Sequence, residues 1–187
     1  QYTKEIKIPF KAISHPTLIN EEIIYLLKKA GCIRLQIGVQ TPCERMRKDI
    51  CKRNESNELI ERAVKIIKKY KIMVQVDHIF GLPSEKIEDY KEGLEFYIRL
   101  KPTFFSSFWL QYYPNTEIVE IGKKYGDVND KIIEETIKGN INNKAIEDKI
   151  KLNKEILAIS RFLYWIPILP KKLSRYLLKN NLYQKIF

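Results

Sequence analysis

The stretch Val74-Gln-Val-Asp-His-Ile-Phe-Gly-Leu-Pro-Ser-Glu85 constrains the fold more than any other part of the chain. It is an apolar run between two helical patterns, and it ends in an acid followed by a glycine turn. A run of this length in this position reads as a buried parallel strand. Asp77 then falls near the strand's C-terminal end, where α/β sheets and barrels place their ligands. Gly81 and Pro83 turn the chain toward the next helix, and the missing side chain at Gly81 lets a ligand lie against bare backbone.

The same alternation extends to both sides. Ile6 to Ile13 is a short strand candidate broken by Pro9. Asn20 caps a helix running to about Ala30, with Glu21 and Glu22 in its first turn and Gly31 as its stop. Ile19 and Ile24 form a hydrophobic staple across that cap. Cys32 to Val39 is a second strand, followed by a short helical stretch, Glu44 to Lys52. From about Asn57 to Tyr70, Leu59, Ile60, Ala63, Val64, Ile66 and Ile67 make an apolar face at helical spacing. Ile72 to Phe80 is the third strand. Ser84 or Glu85 opens a helix that closes at Pro102, and Thr103 to Tyr113 is an aromatic-rich fourth strand.

Strands alternating with helices imply β-α-β units and a parallel sheet, so the class is α/β. Four strands are too few to close a full β/α barrel, which needs about eight. Either the sheet is open or its first part is missing. From about Lys123 the pattern changes. The Asn-rich Gly139-Asn-Ile-Asn-Asn143 leads into a helix through Leu163, then come the apolar knot Tyr164 to Pro170 and a basic amphipathic helix. Residues 1–120 are therefore read as the β/α part and 121–187 as a helical appendage.

The net charge of +11 favours acidic partners such as nucleic acid, nucleotides or an anionic membrane. A Lys- and Ile-rich composition is equally what an AT-rich genome produces, so the charge alone selects nothing. No run reaches the ~18 apolar residues of a membrane span, and no signal peptide is visible. Cys32, Cys43 and Cys51 are too few and too unevenly spaced for a disulfide framework or a zinc site. They suggest a reducing, cytoplasmic setting. A chain opening at Gln1, just before a strand-like segment, is expected to be a fragment.

Gln40, Asp77 and the Tyr112-Tyr-Pro-Asn-Thr116 turn leave three successive strands, and in a parallel sheet those ends converge on one rim. An amide and a carboxylate both accept hydrogen bonds from a vicinal diol. Arg53, on the connection after Gln40, could hold a carboxylate in its fork. Each has a plainer reading: Gln40 as a turn cap, Asp77 as the structural partner of a lysine, Arg53 as one of a solvated basic group with Arg45, Arg47, Lys48 and Lys52. His15 and His78 lack partners at metal-ligand spacing, which favours packed or surface roles. Phe104, Phe105, Phe108 and Trp109 read as core.

Leu27-Lys-Lys-Ala-Gly-Cys32, Ile37-Gly-Val-Gln-Thr41, Asp77 to Glu85 and Tyr113-Pro-Asn-Thr116, in that order and spacing, resemble the radical S-adenosylmethionine superfamily, and within it the branch whose members often carry an N-terminal cobalamin-binding domain. The resemblance implies that these are the third to sixth strands of a six-stranded partial β/α barrel. It implies that Gln40 and Asp77 meet the ribose hydroxyls of S-adenosylmethionine and that Arg53 meets its carboxylate. Ile79 and Gly81 would pack on adenine, and Leu110 to Tyr112 would present backbone to the adenine edge. The family reduces S-adenosylmethionine with a 4Fe–4S cluster held by a CxxxCxxC loop. This chain has no such loop, so the cluster ligands are expected outside it, in a missing N-terminal half, and the chain alone is expected to be inactive. The intact protein would release a 5′-deoxyadenosyl radical or transfer a methyl group through cobalamin, on an unknown substrate. Two other readings stay open. One is a non-radical β/α-barrel enzyme acting on a phosphate-bearing metabolite. The other is a binding module whose tail (Lys171, Lys172, Arg175 and Lys179 beside Trp165 and Tyr176) grips RNA or an anionic membrane, the plainest role for that tail being to pack against the barrel.

Overall fold

In the computed structural model, which describes residues 2–139 and 153–187, four strands form one parallel sheet in the order β1-β2-β3-β4. They are β1 (Phe10–Ser14), β2 (Cys32–Gln40), β3 (Met73–Phe80) and β4 (Phe104–Trp109). Helix α1 (Tyr2–Glu5) precedes them. The crossovers are α2 (Glu21–Ala30), the pair α3 (Glu44–Asp49) and α4 (Asn57–Lys69), and α5 (Ile87–Leu100). After β4 come α6 (Glu117–Lys124), α7 (Asp130–Ile137), α8 (Lys154–Trp165), α9 (Lys171–Lys179) and α10 (Tyr183–Ile186).

Local chemistry accounts for the helix ends. Asn20 Oδ1 accepts the Ile23 amide at 2.9 Å, and Gly31 closes α2 at φ 99°, a conformation that costs glycine little. Ser56 Oγ accepts the Leu59 amide at 3.2 Å to start α4. Helix α5 begins later than the sequence suggested, after Lys86, whose amide donates to Asp89 at 2.9 Å. Glu85 is drawn away from the helix into the preceding turn.

Along β2 and β3 every second side chain is buried: Leu35, Ile37 and Val39, then Val74, Val76, His78 and Phe80. They share one core with Ile60, Ala63, Val64 and Ile67 of α4 and with Leu94, Tyr97 and Ile98 of α5. Arg34, Gln36, Gly38 and Gln40 alternate with them on β2, as Gln75, Asp77 and Ile79 do on β3, and stand half-buried on the opposite face. The run at 74–80 is therefore not buried on both faces. Its polar members form hydrogen-bonded rungs with neighbouring strands: Arg34 Nη1 to Gln75 Oε1 at 3.4 Å, Gln36 Nε2 to Asp77 Oδ2 at 2.6 Å, and Gln75 Nε2 to Ser106 Oγ at 2.8 Å. A parallel sheet with an apolar helix-covered face and a polar file on the other has the construction of a β/α-barrel wall, not of a doubly wound sheet with helices on both faces. Where β1 meets Gln36, Ile13 is 78% exposed.

The residues after 153 join this core. Ala158, Ile159, Phe162 and Leu163 of α8, Ile166, and Leu177 of α9 all belong to it. The Tyr164 hydroxyl accepts the Ser107 amide at 3.1 Å and pairs with its Oγ at 2.8 Å, so α8 covers the outer edge of β4. Two of the tail cations offered to RNA or a membrane are engaged within the fold: Arg175 pairs with Glu95 at 2.9 Å, and Lys171 donates to the Arg99 carbonyl at 2.8 Å. Strand β4 ends at Trp109, short of the expected Tyr113, because Tyr112 turns into a separate cluster with Val119 and Val128. Helices α6 and α7, each two turns long, went unread in the sequence. The start of the expected Asn-rich to Leu163 helix lies outside the described residues.

Candidate functional site

The C-terminal end of β2 is irregular. The register with β3 shifts between Gly38 and Gln40, the Thr41 amide turns back to the Val39 carbonyl at 2.8 Å, and Gln40 adopts φ 65°. A bulge of this kind re-aims a side chain, and a positive φ at a non-glycine residue is stored strain of about 1–3 kcal/mol, found where the surroundings enforce it. Here it brings the Gln40 amide over Gly38. A β-carbon on Gly38 would lie 2.6 Å from Gln40 Nε2 and 3.2 Å from Arg53 Nη1, so two nitrogen donors occupy the space that glycine leaves.

Arg53 arrives from the α3–α4 connection. Its Nη2 donates to the Gly38 carbonyl at 2.8 Å, while Nε and Nη2 both reach Glu55 Oε1, at 2.6 and 2.5 Å. The Nε side of its fork is thus filled by an internal carboxylate, which the sequence reading did not foresee, and Nη1 is the arm left over Gly38. Arg47 holds the loop in shape. Far from being a solvated cation, it is fully buried, and it donates to the Thr41 carbonyl (2.8 Å), the Glu55 carbonyl (2.9 Å) and Asn57 Oδ1 (2.7 Å).

Asp77 is the register partner of Gly38 across the β2–β3 ladder. It pairs with Gln36, not with a lysine, and its second oxygen, Oδ1, is buried with no hydrogen-bond partner. Burial raises its pKa, opposed by the hydrogen bond from Gln36. The Gln40 amide and the Arg53 guanidinium therefore meet over Gly38, and Asp77 stands opposite that glycine on the neighbouring strand.

The other expected residues lie further along the same rim. Gly81 has φ 79°, and its amide donates to Glu85 Oε2 and to the Tyr90 hydroxyl, both at 3.1 Å. The Leu82 amide joins the same Glu85 oxygen at 3.1 Å. Glu85 thus ties the glycine turn from within, a role hidden in sequence behind its place before a helix. Burial pushes its pKa up to about 8 despite those hydrogen bonds. Ile79 packs beside Cys43, Met46, Ile50 and Leu82. The Leu110 amide extends the sheet pairing to the Phe80 carbonyl at 2.9 Å. The Tyr112 ring is buried against Gly122, so only its backbone is available to the rim. His78 is a core residue, 3.0 Å from the Tyr97 hydroxyl.

The donor set fits S-adenosylmethionine: an orphaned carboxyl oxygen and an amide suit ribose hydroxyls, and a guanidinium arm suits a carboxylate. It does not fit a 4Fe–4S cluster. Cys32, Cys43 and Cys51 are free thiols whose pKa values are raised by burial, Cys51 to about 11, and cluster ligation needs thiolates. Among the described residues no group of three or more His, Cys, Asp or Glu side chains could hold a metal.

Comparison with known proteins agrees with the fold. Over 103 residues the chain is 32% identical to the heme chaperone HemW of Buchnera aphidicola subsp. Schizaphis graminum, covering 55% of this chain and 27% of that protein. Among solved structures it matches the radical S-adenosylmethionine methyltransferase TsrM from Kitasatospora setae, solved with cobalamin and a [4Fe-4S] cluster bound (TM-score 0.57, 23% identity, 66% of this chain and 24% of that one). It also matches coproporphyrinogen III oxidase (HemN) from Escherichia coli (TM-score 0.55, 20% identity, 71% and 31%). The chain spans about a quarter to a third of the length of these proteins. The model of the Radical SAM superfamily matches residues 1–97, more than half of the chain, and the chain belongs to that superfamily.

Proposed function

We propose that this chain provides the S-adenosylmethionine-binding rim of a radical SAM enzyme. The placement of the Gln40 amide and Arg53 over Gly38, whose ladder partner is Asp77, is the observation that carries the reading. In it, Asp77 and the Gln40 amide take the ribose hydroxyls and Arg53 Nη1 takes the methionyl carboxylate. Ile79 and the Gly81 backbone lie along adenine, and the backbone of Leu110 to Tyr112 meets its edge. S-adenosylmethionine supplies a sulfonium whose C–S bond breaks on one-electron reduction. This chain's part is to hold the molecule at both ends, so that the bond occupies a single position beside its target.

In this proposal the cluster thiolates come from beyond these residues, and the setting is cytoplasmic. The likeness to TsrM is what supports cobalamin as a further cofactor. Replacing Asp77 with Ala should weaken binding of S-adenosylmethionine by about tenfold in a calorimetric titration, the worth of one hydrogen bond to a charged group. Unchanged affinity would remove Asp77 from the site.

A second reading rests on the Buchnera relatives, which are named heme chaperones: the same barrel wall takes haem. A Soret shift on haem addition that competes with S-adenosylmethionine would favour it. A grip on RNA or anionic membrane by the tail rests on the exposed Lys172 and Lys179, since Lys171 and Arg175 are engaged within the fold.

A further inference from the structure

Glu55 sits between two donors that sequence analysis did not connect. Its carboxylate is 3% exposed, and its Oε1 receives Arg53 Nε and Nη2 as well as His15 Nε2, the last at 3.2 Å. His15 follows β1, on the same rim as the ends of β2 and β3. Its Nδ1 accepts the Thr17 amide at 3.3 Å, which leaves the ring proton on Nε2, pointed at Glu55. A neutral imidazole therefore suffices for this contact. Burial alone would raise the Glu55 pKa, but its own backbone amide and the Arg53 charge outweigh that, and the net shift is downward. The carboxylate stays ionised and gathers three N–H groups on one oxygen.

Arg53 is thereby fixed at one edge. With Nε and Nη2 held by Glu55, and Nη2 also on the Gly38 carbonyl, the guanidinium plane has one orientation, with Nη1 over Gly38 beside the Gln40 amide. A flexible arginine loses rotamer freedom when it binds a ligand, and a second-layer carboxylate removes that loss in advance. Glu55 also offsets the charge of a cation that is only 17% exposed.

We propose that Glu55, oriented by His15, is the positioning residue that aims Arg53 Nη1 at the carboxylate of the bound nucleoside. The proposal rests on the S-adenosylmethionine reading above and adds to it a residue that touches no ligand. It predicts an effect confined to one end of the ligand, because the adenosine end is held by Gln40, Asp77 and the Gly81 turn.

The test compares two probes on the 187-residue chain: S-adenosylhomocysteine, which has the amino-acid carboxylate, and 5′-methylthioadenosine, which lacks it. Glu55→Gln should weaken S-adenosylhomocysteine by about tenfold and leave methylthioadenosine within about twofold. Equal losses for both probes, or no loss for either, overturn the inference. His15→Ala preserves the Arg53–Glu55 pair and serves as a second variant should Glu55→Gln unfold. A loss of about threefold for S-adenosylhomocysteine alone is then expected, and equal effects on both probes again refute it. If the unaltered chain binds S-adenosylhomocysteine no better than methylthioadenosine, the carboxylate is not recognised and the inference fails while the adenosine site stands. If it binds neither, the site reading fails and this inference with it.

Discussion

Glu85→Gln should change the pH dependence of stability in a way set by two buried groups. Glu85 has its pKa raised from 4.5 to about 8 by burial. An acid shifted upward contributes stability that is complete below pH 4.5 and is lost as pH rises through 8. At about 1.4 kcal/mol per unit, the loss amounts to about 3 kcal/mol by pH 7 and about 5 kcal/mol by pH 9, taken as an upper bound. His78 acts in the opposite sense. Burial lowers its pKa from 6.5 to about 3, so its contribution is present above pH 6.5 and is lost as pH falls through 3. Between pH 4.5 and 6.5 the two slopes cancel, and above 6.5 Glu85 alone remains. These two groups therefore give the native chain a plateau in that interval and a decline of about 2 kcal/mol from pH 6.5 to 8. Gln at 85 keeps an oxygen for the Gly81 and Leu82 amides but carries no charge. Its stability relative to the native chain should climb steadily from pH 5 to 8. Urea unfolding at pH 5, 6.5, 8 and 9 measures this, and every other ionisable group cancels in the difference. Parallel pH curves for the two chains would refute the assignment of a buried, proton-bearing carboxyl to the glycine turn.

Two other substitutions probe the site's framework. Arg47→Met removes the donors that satisfy the Thr41 and Glu55 carbonyls and should cost about 3 kcal/mol or more in urea unfolding, whereas a surface arginine would cost almost nothing. Gly38→Ala places a methyl 2.6 Å from the Gln40 amide nitrogen; because that amide is a flexible side-chain end, stability should change by less than about 1 kcal/mol while affinity for S-adenosylhomocysteine falls by about tenfold.

The strand and helix order was legible because apolar patterning is a local signal: the apolar run from Val74 to Phe80, the helical spacing from Leu59 to Ile67, and the Asn20 and Gly31 caps all stand in the sequence. The placement of Gln40 and Asp77 near the ends of neighbouring strands was legible because parallel strands deliver their ends to one rim. The roles of Arg47, Glu55 and Glu85 were not legible. Each acts on backbone groups or side chains whose positions depend on a loop conformation, and the sequence around Arg47 and Arg53 presents only a cluster of cations. The fate of Tyr112 was hidden for a related reason, since its aromatic strand pattern gives way to packing against two helices too short to leave a periodic trace.

The central claim is that groups from three segments meet a single nucleoside at Gly38. A titration of the 15N-labelled chain with S-adenosylhomocysteine, following the backbone amides of Gly38 and Gly81 and the Nε–H of Arg53, tests it most directly. The account predicts that all three signals move together along one saturating curve. Saturation that leaves these signals in place, or that moves only those of the C-terminal helices, would contradict it.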